Sequence, residues 1–171
     1  MISDTMQAAL NAQINLEQFS SQLYLAASAN LSARNFKGFA HWLRVQSAEE
    51  TAHAMKLVDF LIDRGGVLDL KAVTAPQGNG GGVIPVFESV LAHEADTTAA
   101  IHSLFETARN ERDYASEITL NWYVTEQVRE EAVLAAIVDH LRAVGDQGGG
   151  IWYLDHRMGN RGQGGEGGLA R

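Results

Sequence analysis

Proline occurs only at Pro76 and Pro85, and glycine, apart from Gly38, gathers at 65–66, 78–82, 145–150 and 159–168. The stretches between these breaks are long and rich in Ala, Leu, Glu, Gln and Arg, all good helix formers. The sequence therefore predicts four long helices, roughly at 4–34, 36–64, 84–109 and 113–145, with a short fifth near 149–158. Ser3 and Asp4 suit the first N-cap, Pro85 suits the first turn of the third helix, and Gly65-Gly66 and Gly145 suit helix ends. The Gly-rich run 159–171 has little apolar content to bury, so 1–158 is expected to fold as one domain with a disordered tail behind it.

Connection lengths restrict how the rods pack. Short turns near Arg34-Asn35 and near Asn110–Arg112 make two antiparallel hairpins. The segment from Gly65 to Ile84 is long, glycine-rich and without helical periodicity. A 30-residue helix is about 45 Å long at 1.5 Å per residue, and about twenty extended residues can span that. The expected architecture is thus an all-α four-helix bundle with a long crossover between the second and third helices, and a short C-terminal fifth.

Each long helix, read at alternating three- and four-residue steps, shows a stripe that is apolar towards its ends and polar at its centre. The first stripe is Met6, Leu10, Gln13, Glu17, Ser20, Tyr24, Ala27, Leu31, and the second is Phe36, Phe39, Leu43, Gln46, Glu50, His53, Leu57, Phe60. The third is Phe87, Val90, Glu94, Thr97, Ile101, Leu104, and the fourth is Leu120, Tyr123, Gln127, Glu130, Leu134, Ile137, Leu141. Glu17 lies about as far before the first turn as Glu50 lies after it, and Glu94 and Glu130 are matched in the same way about the second turn. Docking the two hairpins therefore brings four glutamates and His53 to one depth.

Buried carboxylates cost several kcal/mol each unless they are paired or bind a cation. No Lys or Arg stands on these stripes to neutralise them. Two divalent ions would supply the missing positive charge, and hard oxygen ligands with one imidazole suit Fe, Mn or Zn. Glu50-x-x-His53 alone carries little weight, since such pairs are common on exposed helix faces. Stripe position and matched height on four helices together point to a metal centre.

The remaining composition narrows the function. The absence of cysteine excludes disulfides, zinc fingers, iron–sulfur clusters and thiol catalysis. The formal net charge of −8 argues against nucleic acid as a partner. No apolar run approaches the roughly 18 residues of a membrane span, and the first residues do not read as a signal peptide. The expectation is a cytoplasmic protein with no membrane partner.

Four segments carry a resemblance: N-L-E-Q-F-S-S-Q-L-Y at 15–24, A-E-E-T-A-H at 48–53, H-E at 93–94 and N-W-Y-V-T-E-Q-V-R-E-E at 121–131. In these the chain resembles the prokaryotic non-haem ferritins across nearly its whole length. The resemblance implies an iron-storage subunit with ferroxidase activity, oxidising Fe2+ with O2 or H2O2 at a two-iron centre and depositing ferric mineral inside a shell of twenty-four copies. It implies that Glu17, Glu50 and His53 hold the first iron and that Glu50 bridges to a second, completed by Glu94 and Glu130. Gln127 would hydrogen-bond a bound water or oxygen species, Tyr24 would be the redox-active tyrosine, and Trp122 would match an aromatic electron donor. Many relatives have a third iron site built from Glu49, Glu126, Glu130 and one more glutamate. Arg129 stands at that fourth position here, so the third site is expected to be weak or absent.

Sister families fit less well. Bacterioferritins carry a second Glu-x-x-His and a haem-ligating methionine, where this chain has Gln127-x-x-Glu130 and Thr51, so no haem is expected. Three other functions are compatible with the same stripes: a non-catalytic metal store, a di-iron or dimanganese oxidase of another substrate, and a purely structural helical scaffold.

Overall fold

A computed structural model describes residues 1–76, 81–145 and 148–160. Its elements are α1 (Asp4–Ala33), α2 (Lys37–Asp63), α3 (Val83–Asn110), α4 (Tyr114–Val144) and α5 (Gly149–Met158). All five begin and end within one residue of the sequence expectation. Most of the tail expected to be disordered falls outside the described residues.

Side chains set the helix ends. Ser3 caps α1 by accepting the Met6 N–H at 3.1 Å. Asp113 caps α4 through Ser116 N–H at 3.2 Å, and also grips Arg64 at the end of α2 through two bonds of 2.9 and 3.0 Å. The hairpin turns place Asn35 and Arg112 in the left-handed region, at φ 70° and 56°. At Arg112 a side chain is carried into backbone space that glycine normally fills.

The apolar core is in two pieces. One holds Tyr24, Ala27 and Leu31 of α1, Phe39, Trp42 and Leu43 of α2, Val83 to Val90 of α3, Leu134 to Leu141 of α4, and Ile151, Leu154 and Met158 of α5. The other holds Met6, Leu10 and Ile14 of α1, Leu57 to Leu61 of α2, Ile101 to Ala108 of α3, and Leu120 and Tyr123 of α4. The start of α1 thus lies level with the end of α2, the end of α3 and the start of α4. Helices α2 and α3 run parallel, so the chain between them must travel the length of the bundle, as the long crossover was expected to do.

Side-chain amides spaced one helical turn apart on α1 fix the start of that crossover. Gln7 Oε1 accepts Val67 N–H at 2.8 Å. Asn11 binds the Val67 carbonyl at 2.9 Å and the Asp69 N–H at 2.7 Å, and Asn15 binds the Asp69 carbonyl at 2.9 Å and the Lys71 N–H at 2.7 Å. Residues 67, 69 and 71 of an extended chain advance at nearly the pitch of a helix, so each turn of α1 meets the next alternate residue. At the far end, the Arg34 guanidinium donates to the Gly81 carbonyl.

Helix α5 closes one end of the bundle against the start of α2. No side chain of its own caps α2. Asp155 of α5 supplies the acceptor instead, taking the Phe39 N–H at 2.9 Å, and its negative charge faces the positive end of the α2 dipole. Gly38 permits the approach, because a Cβ there would stand 1.5 Å from the Asp155 carbonyl oxygen. One turn earlier on α5, Trp152 stacks on Phe36 at 4.8 Å but remains half exposed. Among the described residues no helix is long and apolar enough to cross a membrane.

Candidate metal centre

The two apolar clusters are separated by a polar layer, and this layer contains the residues that the stripes singled out. Glu17, Glu50, Glu94 and Glu130 are each at most 2% exposed, Gln127 is 4% and His53 8%. Tyr24 from one cluster and Tyr123 from the other flank the layer, both buried.

The tightest group is Glu17, Glu50 and His53, whose ligand atoms all lie within 4.8 Å of one another. His53 Nδ1 is 3.6 Å from Glu50 Oε2. Tyr123 donates to the His53 carbonyl at 2.8 Å, bracing the turn of α2 that presents the imidazole. Glu94 lies alongside, with Oε1 accepting from the Tyr24 hydroxyl at 2.6 Å and Oε2 from Gln127 Nε2 at 3.0 Å. Gln127 Nε2 also donates to Thr98 Oγ1 at 3.2 Å, so both of its amide hydrogens are engaged. Glu130 accepts from Gln46 Nε2 at 3.0 Å on one oxygen and from Arg129 at 3.0 Å on the other.

A regularity emerges that the stripes displayed without assigning. Three of the four glutamates each accept a glutamine N–H: Glu17 from Gln13 at 2.8 Å, Glu94 from Gln127 and Glu130 from Gln46. Gln13, Gln46 and Gln127 each stand one turn before a stripe glutamate, which was the signal available in the sequence. Gln46 and Gln127, however, serve glutamates of other helices. The Gln46 carbonyl oxygen is buried without a hydrogen-bond partner among the described residues. A buried acceptor of this kind calls for a polar or cationic occupant.

The electrostatics agree. Burial pushes the Glu17 and Glu50 carboxyls well above their usual range, with the charge of Glu50 adding to the effect on Glu17 and that of Glu94 to the effect on Glu50. A hydrogen bond between the two holds the proton on Glu17 and favours charge on Glu50. Burial raises Glu130 to about 7, even though the Arg129 charge pulls the other way. Burial, and after it the charges of Glu94 and Glu50, hold the Tyr24 hydroxyl well above its ordinary value, so Tyr24 stays a donor to Glu94. A metal-free layer of this kind keeps protons where a dication could sit.

Arg129 occupies the edge of the layer. Its Nε donates to Glu126 Oε1 at 3.0 Å and its Nη2 bridges Glu126 and Glu130. Although burial works in the opposite direction, this arginine holds the Glu126 carboxyl below its usual range. Glu49 and Glu126 are half-buried beside it. Trp122 sets its ring edge against His53, with centroids 5.1 Å apart, and the Lys56 ammonium lies 3.4 Å from the centre of the Trp122 ring. A cation over an indole face stabilises the neutral ring and works against loss of an electron from it.

Comparison with known proteins then decides the family. The model of the ferritin-like domain matches residues 7–144. The chain belongs to the ferritin family. A bacterial non-heme ferritin of Bacteroides fragilis is 38% identical over 161 residues, covering 94% of this chain and all of the relative. One of Staphylococcus aureus is 32% identical, over 94% of this chain and 97% of the relative. Among solved structures, an open pore ferritin from Archaeoglobus fulgidus superposes with a TM-score of 0.93 at 42% identity, covering 95% of this ferritin and 99% of that chain. The chain is an iron-storage ferritin subunit with the four-helix bundle and short fifth helix of that fold.

Proposed function

We propose that the buried polar layer is a ferroxidase centre that binds two Fe2+ ions as substrate and oxidises them with O2 or H2O2. The observation that carries this reading is the convergence of Glu17, Glu50 and His53 ligand atoms within 4.8 Å, in a layer that also buries Glu94 and Glu130. Glu17, Glu50 and His53 take the first ion, and Glu50, Glu94 and Glu130 the second. The set offers hard oxygens and one imidazole, which suits Fe2+. Two Fe2+ give one electron each: with O2 and two protons they yield two Fe3+ and H2O2, and with H2O2 and two protons they yield two Fe3+ and two waters.

The chain's own residues bind, orient and handle protons. The protons that the metal-free layer keeps on its carboxyls leave as ions enter, so the reaction zone receives protons next to the oxidant. Gln127 and Gln46 hold Glu94 and Glu130 in place through neutral N–H donors, which add no positive charge to repel iron. Tyr24 can give one further electron to the O2 or H2O2 being reduced at the pair while passing its proton to Glu94, over a hydrogen bond of 2.6 Å. Tyr24 is better placed for this than Trp122, whose ring lies under the Lys56 ammonium.

The shell of twenty-four subunits belongs to the same reading. Exposed Tyr114, Ile118, Trp152 and Tyr153 give the subunit apolar surface to bury against copies of itself. A cytoplasmic setting and the absence of haem are part of the proposal, as is a third iron position at Glu49 and Glu126 kept weak by the Arg129 ion pairs.

Aerobic addition of Fe2+ tests the centre. The wild-type protein should develop ferric absorbance rapidly, whereas Glu50→Ala and His53→Ala should slow that phase by about a hundredfold or more, since each removes a ligand from the pair. Wild-type kinetics in both variants would reject this site.

A further inference from the structure

Both carboxylate oxygens of Glu130 are already engaged, and by unequal partners. Oε2 accepts from the neutral Gln46 amide at 3.0 Å, and Oε1 accepts from the Arg129 guanidinium at 3.0 Å. Glu130 is 1% exposed, whereas the Arg129 side chain is 39% exposed and reaches in from the edge of the layer. The same guanidinium holds Glu126 through Nε at 3.0 Å and through Nη2. The charge of Glu49 acts on it as well. The first iron position has no such competitor, since Glu17 accepts from Gln13 and Glu50 faces His53.

We propose that Arg129 is a latch on the second iron position: it bridges Glu126 and Glu130 while that position is empty, and withdraws onto Glu126 when an ion takes the Glu130 oxygen. The inference rests on the ferroxidase reading above and concerns the order and affinity with which that centre fills. A dication bound by Glu130 cannot share Oε1 with a guanidinium without strong like-charge repulsion. Filling the second position therefore breaks one charge-assisted hydrogen bond in a partly buried setting, which filling the first does not. Glu126 makes the movement feasible, because Arg129 keeps a charged partner there when it lets go of Glu130. The consequence is ordered loading, with the Glu17–Glu50–His53 position first and the Glu94–Glu130 position second and weaker.

The test is anaerobic titration of the chelated, assembled protein with Co2+, a redox-inert probe for Fe2+, followed by calorimetry and by the visible Co2+ spectrum. Wild type should show two steps per subunit, the second weaker by about tenfold, as expected for loss of one partly buried charge-assisted bond. Arg129→Gln should tighten the second step by about tenfold and leave the first unchanged. Glu126→Gln should weaken the second step further, because Arg129 then has Glu130 as its main partner. The two variants move the same step in opposite directions, which a general loss of folding could not do, and melting curves of both check that they fold. Equal steps in wild type, or a second step that Arg129→Gln leaves unchanged or weakens, would overturn the latch. If Glu50→Ala leaves the wild-type isotherm intact, the metal centre itself is refuted and the latch falls with it.

Discussion

The metal-free protein should lose stability as the pH rises from 4.5 to about 7, the range in which the buried Glu130 is forced to ionise. Glu130 sets the size of the effect. In the unfolded chain its carboxyl releases its proton near 4.5, whereas burial holds that proton in the folded protein until about 7. Between those values the folded state binds more protons than the unfolded state, so each rise in pH favours unfolding. The contribution is fully present below pH 4.5 and is gone above about 7. At about 1.4 kcal/mol for each unit of separation, Glu130 alone accounts for about 3 kcal/mol. Glu17 and Glu50 are shifted in the same direction and add to the slope. For a domain of this size about 3 kcal/mol corresponds to roughly 6–12 °C in melting temperature.

The assay is calorimetric melting of the chelated protein at pH 5, 6, 7 and 8, beside the same series for Glu130→Gln. The quantity of interest is the difference between the two proteins, because other groups titrate nearby. His93 is held below its ordinary value of 6.5, chiefly by burial, so it favours folding increasingly as the pH rises towards 6.5 and adds no slope above that. Asp113, held below 3.8 by Arg64 and Ser116 despite its burial, matters only in more acid solution. Glu130→Gln removes the titrating proton, so its melting temperature should fall less steeply with pH and overtake wild type near neutrality. Saturating Co2+ should reverse the wild-type slope, since the metal replaces the protons and binds better as they leave. Parallel curves for wild type and Glu130→Gln would show that the acid of α4 is not held protonated in the fold, and the reasoning would fail.

Two further outcomes follow from the packing. Gly38→Ala should detach α5, because the added Cβ would stand 1.5 Å from the Asp155 carbonyl oxygen; the expected loss is about 2–3 kcal/mol, read as a lower melting temperature and rapid hydrogen exchange in 149–158. Asn11→Ala combined with Asn15→Ala should free the crossover at about 1 kcal/mol for each of the bonds lost, with the Asp69 and Lys71 amides exchanging quickly while the core amides of the four long helices stay protected.

What the sequence disclosed is what depends on local spacing. The helices could be placed because glycine and proline interrupt them so rarely, and the four glutamates could be brought level because distance from a turn fixes height along a helix. What it hid depends on distant partners. The α2 N-terminus carries no capping side chain of its own, and its acceptor, Asp155, comes from 116 residues further along the chain. Gly38 stood outside every glycine cluster, and only the approach of α5 explains it. Asn11 and Asn15 lie off the core stripe and look like ordinary polar positions until the crossover is laid over them. Among the site residues, Gln13 and Gln46 were visible on the stripes but their task was not, since spacing along one helix does not reveal that Gln46 reaches Glu130 on another.

The choice of glutamine in that layer has a physical logic. A buried carboxylate that must later bind a cation needs something to hold it in position and satisfy its lone pairs beforehand. Lysine or arginine would do so most strongly in the metal-free protein, but each would then stand as a fixed positive charge where the dication has to go. An amide N–H orients the carboxylate without a fixed charge, while burial still raises the Glu17, Glu50 and Glu130 carboxyls and the layer divides the core into two clusters. Glu17 and Glu94 are held by neutral donors alone, glutamine for one and glutamine with tyrosine for the other. Glu130 alone also takes a guanidinium, and that is why the two positions of the pair are expected to fill unequally.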